Sequence, residues 1–407
     1  MKDRVILHCD CNNFFASVET VFNPKYKDVP LAVCGSQDDR HGIVLAKNEI
    51  AKKYGIKTAE TVFSAKKKCP GLVICEPHYE KYAEYSERAN AIYRKYTDMV
   101  EQFGIDESWL DVTASKKLFG SGLEIAEKIR KEIRETLGIT VSIGVSFNKV
   151  FAKLGSDYKK PDAITVIDRE NFKKIIFPLP VSDLLFVGKK TDNALSAMGI
   201  KTIGDLANAD VELLTQRLGK NGAMINKYAN GNDTSPVASE KEDVKSISNG
   251  FTFRHDLIGR EEARIGIDYL SEEIGAKLRR QGLKCGVVSL TIKDEFLNSV
   301  RRQIQQNPPT DISREIADSA FMLLLENWRE SKPIRMITVS ASDLSYDGAV
   351  QINLFDSEED SHREKNKKID NAVDKIRQKY GTESITNASI INTDLGIYKT
   401  KKKKSDK

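Results

Sequence analysis

The sequence predicts an α+β multidomain protein in which two β-α-β-β-α-β units flank an all-helical piece. Three observations carry this expectation. The 407 residues exceed what one domain of about 150 residues holds. Strand-like and helix-like apolar patterns recur twice in the same order, before residue 167 and after residue 246. Between them, residues 181–231 show only short helical patterns broken by glycines.

The elements follow in order. VILHCDC reads as a buried strand with Asp10 at its end, and Asn12 to Val21 as a helix with Phe14, Phe15, Val18 and Val21 on its apolar face. Leu31 to Cys34 and Ile43 to Ala46 read as short strands. A lysine-rich helix from Asn48 and another from Val62 to Lys68 follow, the second stopped by Pro70-Gly71. Tyr79 to Met99 reads as one long amphipathic helix. Val100 to Gly104 and Trp109 to Thr113 are strands around Ile105-Asp106-Glu107-Ser108. Leu123 to Leu137 is a helix with Ile125, Ile129, Ile133 and Leu137 as its stripe, ended by Gly138, and TVSIGVS returns as a strand. This order is that of a ferredoxin-like split sheet with an insertion.

After the helical piece, Asp233 to Lys245 is polar and reads as a linker. A strand over Ser246 to Arg254, a helix over Glu261 to Gln281 and strands over Gly286 to Lys293 and Ser299 to Gln306 follow. A helix over Ile312 to Glu330 and a strand over Ile334 to Ser340 complete a second ferredoxin-like unit. His362 to Tyr380 reads as a charged helix with Ile369, Val373 and Ile376 on one face.

Composition narrows the function. Hydrophobic residues are 40% and charged residues 30% of the chain, mean hydropathy is −0.43, and no apolar run nears the ~20 residues of a membrane span. Sixty-four Lys and Arg against 59 Asp and Glu leave +5, which permits a polyanionic partner without requiring one. Six cysteines form no CxxC pair and five histidines no HxxxH or HExxH pattern, so reduced thiols in a cytoplasmic protein are expected and zinc chemistry is not.

Carboxylates come first among the motifs. Asp10 ends a strand, and Asp106 and Glu107 lie between two strands of the same expected sheet. Neighbours in a strand face opposite ways, so Asp106 and Glu107 share a site only where the chain bends. Three acids without His or Cys suit Mg²⁺, and two such ions can stabilise attacking and leaving oxygens in phosphoryl transfer. Charge and position alone modestly favour ordinary turn and cap roles. Lys52, Lys53, Lys149, Lys153, Lys159 and Lys160 can neutralise a triphosphate, although a solvated basic helix face is the commoner meaning of a lysine run. In VGKKTDNALSAMGIKTIGDLA, Gly188 with Lys189 and Lys190, then Gly199-Ile200, has the form of a helix-hairpin-helix that offers N–H groups and lysines to DNA phosphates. Two glycine-capped packed helices are an equal reading.

Asp10 within HCDCNNFFASVE, then IDESWLD, SIGVSFNKVFAKLGSDYKKP, the hairpin and QINLF resemble Y-family DNA polymerases, the polymerase IV type and its Gram-positive relatives, in register from about residue 4 to about residue 355. The resemblance implies palm and fingers over 1–167, a helical thumb over 168–235, a linker over 236–246, a βαββαβ little finger over 247–348 and a C-terminal tail over 349–407. It implies Asp10, Asp106 and Glu107 as catalytic ligands of two Mg²⁺ ions, joined by the Cys11 carbonyl. Phe15 matches the aromatic that rejects a ribose 2′-OH by clash, and Lys160 and Lys52 match triphosphate-binding positions. Lys52 stands where many members have arginine, so it makes no bidentate contact. Asn12 replaces a second aspartate common in relatives, and Glu49 replaces a tyrosine near the phosphates, with Lys47 a candidate substitute.

Gln351, Leu354 and Phe355, followed by an acidic run, resemble the peptide that docks bacterial polymerases on the sliding clamp. Arg301 and Arg302, with Gln303 and Gln305, are candidate duplex contacts, with alternation sending Arg301 and Arg302 to opposite faces. The implied activity is low-fidelity translesion synthesis by a cytoplasmic, monomeric DNA polymerase acting on primer-template DNA and dNTPs. A nucleotidyl cyclase shares the palm but needs neither hairpin nor clamp peptide, and a silent DNA-binding scaffold could lose the carboxylates, which are all present.

Overall fold

The computed structural model describes residues 4–35, 42–239, 243–346, 357–391 and 393–397, and the chain forms two compact units that divide near residue 241. The first unit begins with β1 (Ile6–Cys11), α1 (Phe14–Phe22), β2 (Leu31–Cys34), β3 (Val44–Lys47), α2 (Glu49–Lys53), α3 (Val62–Lys68), β4 (Val73–Cys75) and α4 (Tyr79–Tyr93). It continues through β5 (Val100–Gln102), β6 (Glu107–Asp111), α5 (Lys116–Phe119), α6 (Gly122–Leu137), β7 (Val141–Ser146), α7 (Lys149–Tyr158) and β8 (Ile164–Ile167). The helices α8 (Phe172–Ile176), α9 (Lys189–Ala197), α10 (Ile203–Asn208), α11 (Val211–Leu218) and α12 (Lys220–Ala229) close it.

Its main sheet has the order β5-β6-β1-β7-β8, with β1 antiparallel to both neighbours. The four strands β5, β6, β1 and β7 thus have the expected ferredoxin-like arrangement. A second, three-stranded sheet, β3-β2-β4, carries α2 and α3 over its own small core. α6 shows how locally the sequence specifies an element. Ser121 and Glu124 form a reciprocal capping box, worth about 1 kcal/mol, and Gly138 ends the helix in the left-handed region. Ile125, Ile129, Ile133 and Leu137 are all buried, at roughly 1.5–3 kcal/mol each.

α4 is shorter than its periodicity suggests. The chain leaves the helix after Tyr93 because Thr97 turns inward, its hydroxyl donating to the Asp111 carbonyl at 2.7 Å and accepting from Met99 N–H at 3.2 Å. That turn delivers β5 to the sheet edge. Part of the polar stretch expected as a free linker is also held. Val237 is buried with Ile6, Trp109 and Ala152, Ala238 N–H donates to Glu101 at 2.7 Å, and Arg4 donates to the Ser235 carbonyl at 2.8 Å.

The two faces of the main sheet do different jobs. Leu7, Cys9 and Cys11 of β1 point into the large core with α4 and α6. Ile6, His8 and Asp10 point the other way, toward α7, opposite Ser146, Gly144 and Ser142 of β7. Those three residues are small, so α7 lies directly on the sheet. A Cβ at Gly144 would fall 1.8 Å from the Ala152 carbonyl oxygen and 2.6 Å from Ser156 N.

The second unit contains β9 (Ser246–Leu257), α13 (Arg260–Gln281), β10 (Leu283–Lys293), β11 (Ser299–Thr310), α14 (Ser313–Asn327), β12 (Ile334–Tyr346) and α15 (Ser357–Tyr380). The βαββαβ element order is as expected, but the sheet runs β11-β10-β12-β9, so its first strand lies at an edge rather than in the centre. Sequence periodicity reports how many elements return, not which neighbour a returning strand takes. α13 and α14 cover one face. The other face carries Ser248, Gly250, Thr252, Ser289, Thr291, Thr338, Ser340, Arg301 and Gln303.

α15 packs on the helical side of this unit. Arg279, 9% exposed, donates to Asp374 at 2.6 Å and Asp370 at 2.9 Å, and Asp370 accepts the Ser313 N–H at 2.8 Å at the start of α14. Arg377 reaches Glu272 at 2.9 Å, and Leu395 is buried in the domain core. Gln351, Leu354, Phe355 and Lys401–Lys404 lie outside the described residues.

The contact between α7 and β7 yields a direct expectation. Gly144→Ala should lower unfolding free energy by about 3 kcal/mol or more, since backbone rather than a movable side chain meets the new methyl. Urea denaturation of the purified variant measures it; a change under ~0.5 kcal/mol would contradict the close packing.

Candidate active site

β1 ends beside β6 with Asp10 directly opposite Glu107. Directly opposed side chains share a face, so both carboxylates look toward α7. Asp106 precedes β6 in a bend, and its carbonyl accepts the Cys11 N–H at 3.0 Å. This bond stitches the bend to the end of β1, which frees Asp106 from strict alternation and brings the three acids together. Asp10 is 5% exposed.

α7 and the turn after it bring cations to these acids. Lys153 Nζ lies 2.7 Å from Glu107 Oε2, and Lys160 Nζ lies 2.6 Å from Asp10 Oδ2 and 2.8 Å from Asp157 Oδ1. Asn12 holds the turn that carries Lys160. Its Oδ1 accepts the Asp162 N–H at 2.8 Å and the Thr140 hydroxyl at 3.1 Å, while its Nδ2 donates to Ser142 at 2.8 Å. A carboxamide both accepts and donates there, which accounts for asparagine at this position.

His8 lies two residues before Asp10 on the same face and is fully buried. The Ser156 hydroxyl donates to the Lys153 carbonyl at 2.7 Å, so it accepts from His8 Nδ1 at 2.8 Å. His8 Nε2 then points at Glu107 Oε2, 3.5 Å away, with no hydrogen-bond partner of its own. Trp109 packs edge-on to the imidazole.

The site separates its acids electrostatically. Burial pushes the Asp10 carboxyl up to about 7, against the pull of Lys160, and burial with the Glu107 charge raises Asp106. Burial also works to raise Glu107, but His8 and Lys153 beside it hold it down at about 2. Burial opposes the Lys160 charge, and Asp10 and Asp157 more than restore it. Burial lowers His8. Two acids that favour protons in a closely spaced, all-oxygen group form a site that a divalent cation suits. The Cys11 thiol does not compete for such an ion: it is buried against the Tyr93 hydroxyl at 3.8 Å, and burial pushes it up to about 12. Only its carbonyl is available.

The other expected residues fall as follows. Phe14 is buried, whereas Phe15 is half-buried and stacks on Tyr82, with centroids 4.1 Å apart and planes at 12°. Lys52 is exposed and lies 3.6 Å from Glu49, which also accepts from Asn13 at 3.0 Å. Lys47 donates to Thr58 at 3.1 Å. Gly188 precedes α9, Lys189 and Lys190 are exposed at its start, and Gly199 turns the chain toward α10 with φ of 79°. Arg301 lies on the open face of the second unit's sheet. Arg302 faces α14 instead, where it donates to Asn327 at 3.0 Å, so only one of the pair is on that face.

Lys153, one of the lysines considered for neutralising a triphosphate, instead pairs with Glu107, and His8 beside the same carboxylate is a residue the sequence alone did not single out. Lys153 sits seven residues before Lys160, two helical turns, which is the one local sign that both could face the acids. His8 gave no sign, because its partner Glu107 is a cross-strand neighbour. Among the described residues, Glu19, Cys75 and His78 also bring potential ligand atoms within 4.8 Å of one another, and Glu19 there is hydrogen-bonded to Tyr82 and His78.

Residues 9–157 match the impB/mucB/samB family, and residues 244–354 match the C-terminal domain of the impB/mucB/samB family. The chain is 49% identical over 397 residues to DNA polymerase IV of Acetivibrio thermocellus, covering 97% of this chain and 99% of that protein. It is 38% identical to DNA polymerase IV of Clostridium kluyveri, over 95% of this chain and 98% of that one. DNA polymerase IV 1 of Bacillus subtilis is 33% identical, over 97% and 94%. A solved Y-family DNA polymerase chimera superimposes with a TM-score of 0.75 at 26% identity, covering 84% of this chain and all of that one.

The raised Asp10 carboxyl sets an expectation for stability. Its proton is held to about pH 7 in the fold against 3.8 for an ordinary aspartate, so the fold loses stability through this group as pH climbs between those values. Asp10→Asn should therefore stabilise the protein in chelator at pH 8, by about 1–2 kcal/mol, because Lys160 loses one partner but keeps Asp157. Thermal unfolding checks this, and a lower midpoint would contradict it.

Proposed function

We propose, from the premise that this chain belongs to the Y family of DNA polymerases in its polymerase IV branch, that Asp10, Asp106 and Glu107 carry its nucleotidyl transfer. The chain is a DNA-directed DNA polymerase that acts on primer-template DNA and dNTPs in translesion synthesis, and such enzymes need divalent metal ions. The observation that carries the assignment is the end of β1: Asp10 paired with Glu107 across the sheet while Cys11 N–H binds the Asp106 carbonyl.

Asp10, Asp106, Glu107 and the Cys11 carbonyl would hold two Mg²⁺ ions, which supply positive charge to the attacking primer 3′-oxygen and the leaving pyrophosphate. The remaining roles belong to the chain. Lys153 fixes the Glu107 carboxylate from one side, so its oxygens need not reorganise during the reaction. Lys160 offers an ammonium group to the charge that moves onto pyrophosphate as the bond from the α-phosphorus breaks. Lys52 is a more distant electrostatic partner of the triphosphate, opposed by Glu49. Phe15 presents a ring where a ribose 2′-OH would lie and rejects it by clash.

Residues 1–167 act as palm and fingers, 168–235 as thumb, 247–348 as little finger, with 236–246 between them and 349–407 as tail. Gly188, Lys189 and Lys190 contact DNA phosphates through the start of α9, and Arg301 does so from the open face of its sheet. Gln351, Leu354 and Phe355 dock on the sliding clamp. No helix among the described residues is long and apolar enough to cross a membrane. DNA and dNTP substrates put the work in the cytoplasm, and one chain carries every assigned residue, as a monomer requires.

Primer extension with Mg²⁺ and single dNTPs tests the assignment. Asp106→Ala should reduce incorporation by roughly 1000-fold or more while leaving primer-template affinity within about twofold. Incorporation near the wild-type rate would overturn it. Alanine at both Leu354 and Phe355 should abolish clamp stimulation and leave clamp-free extension unchanged. Unaltered stimulation would remove the docking assignment.

A further inference from the structure

α1 holds α4 at two points one helical turn apart. Phe15 and Glu19 are four residues apart and so share a face of α1. The Phe15 ring lies parallel to Tyr82 of α4 at 4.1 Å, and Tyr79 meets both rings edge-on at 6.1 and 6.0 Å. The buried Tyr82 hydroxyl donates to Glu19 Oε1 at 2.5 Å, and His78 Nδ1 lies 2.8 Å from the same oxygen. Glu19 itself is 3% exposed, although it is a carboxylate within an apolar core.

These two contacts differ in kind. A stacked aromatic pair is attractive but slides readily over an ångström, because offset arrangements are all favourable. A hydroxyl-to-carboxylate bond is short, directional and about twice as strong as a neutral one. Stacking alone would leave Phe15 free to recede with Tyr82, whereas the Glu19 bond fixes Tyr82 in place. A buried carboxylate is expensive to keep without such partners, so its presence behind the ring calls for a role.

We propose that Glu19 is a positioning residue for sugar selection: it pins Tyr82, and through Tyr82 the ring of Phe15, so that a group outside the nucleotide site sets how firmly ribonucleotides are refused. This rests on Phe15 being the residue that excludes the 2′-OH. Rejection by clash works only if the obstructing ring cannot withdraw, since one oxygen needs little extra room. Glu19 supplies that rigidity from the same helix that presents the ring.

The test compares rNTP with dNTP incorporation efficiency in single-nucleotide extension by the full chain. Phe15→Ala should lose most discrimination. Glu19→Leu and Tyr82→Phe should each raise relative rNTP incorporation roughly tenfold, the scale of one lost charge-assisted bond, with dNTP efficiency within about threefold of wild type. Glu19→Gln, whose carbonyl still accepts the Tyr82 hydroxyl, should restore near-normal discrimination. Glu19→Leu added to Phe15→Ala should change nothing further, because the pin has no ring left to hold. Tyr82→Phe decides the matter if Glu19→Leu does not fold, since it removes only the hydroxyl. Unchanged discrimination in Phe15→Ala would overturn the gate itself and the role of Glu19 with it. Loss in Phe15→Ala but wild-type discrimination in folded Glu19→Leu or Tyr82→Phe would overturn the role of Glu19 alone, as would an effect that adds to that of Phe15→Ala.

Discussion

Three carboxylates gathered at the end of one strand repel one another and resist burial, and the first unit is organised around compensating them. The pairing of β1 with β6 sets Asp10 against Glu107, and the Cys11–Asp106 backbone bond adds the third acid. Neither contact is favourable in charge. Lysines from α7 and the turn beyond it face the group, and the acids remain partly uncompensated, as the upward shifts of Asp10 and Asp106 record. That residual cost is what a divalent ion can relieve, so stability is surrendered at the place where binding is needed.

The compensation depends on how closely α7 approaches the sheet. Ser142, Gly144 and Ser146 leave the space, and the backbone of Ala152 and Ser156 occupies it. Lys153 and the turn bearing Lys160 then reach Glu107 and Asp10 from one rigid element. Asn12 closes the arrangement by holding the Lys160 turn to the end of β1. On the opposite side of the same strand-to-helix junction, α1 presents Phe15 and braces it through α4. Charge placement and the proposed sugar exclusion thus both begin at the last residues of β1.

Much of this was legible in the sequence where the cause is local. The capping box and isoleucine stripe of α6, the TVSIGVS strand and the glycine turn between α9 and α10 are set by residues a few positions apart. The bend at Asp106 followed from the impossibility of placing Asp106 and Glu107 on one face of a straight strand. What escaped depends on distant partners. Nothing near His8 reveals Glu107, and nothing near Arg279 reveals that Asp370 and Asp374 will bind it. The early end of α4 is imposed by Thr97 reaching the Asp111 carbonyl. The edge position of β9 is a choice of neighbour that periodicity does not encode, and Arg302 separated from Arg301 by simple alternation, as the strand pattern required.

The most direct measurement of the central claim is the number of divalent ions held by the protein with primer-template and dNTP, counted by Mn²⁺ electron paramagnetic resonance. The carboxylate cluster predicts two bound ions per chain in the wild type and loss of at least one in Asp106→Ala, with the fold intact. Two ions retained by Asp106→Ala would mean that the cations lie elsewhere, and the cluster at the end of β1 would not be the catalytic centre.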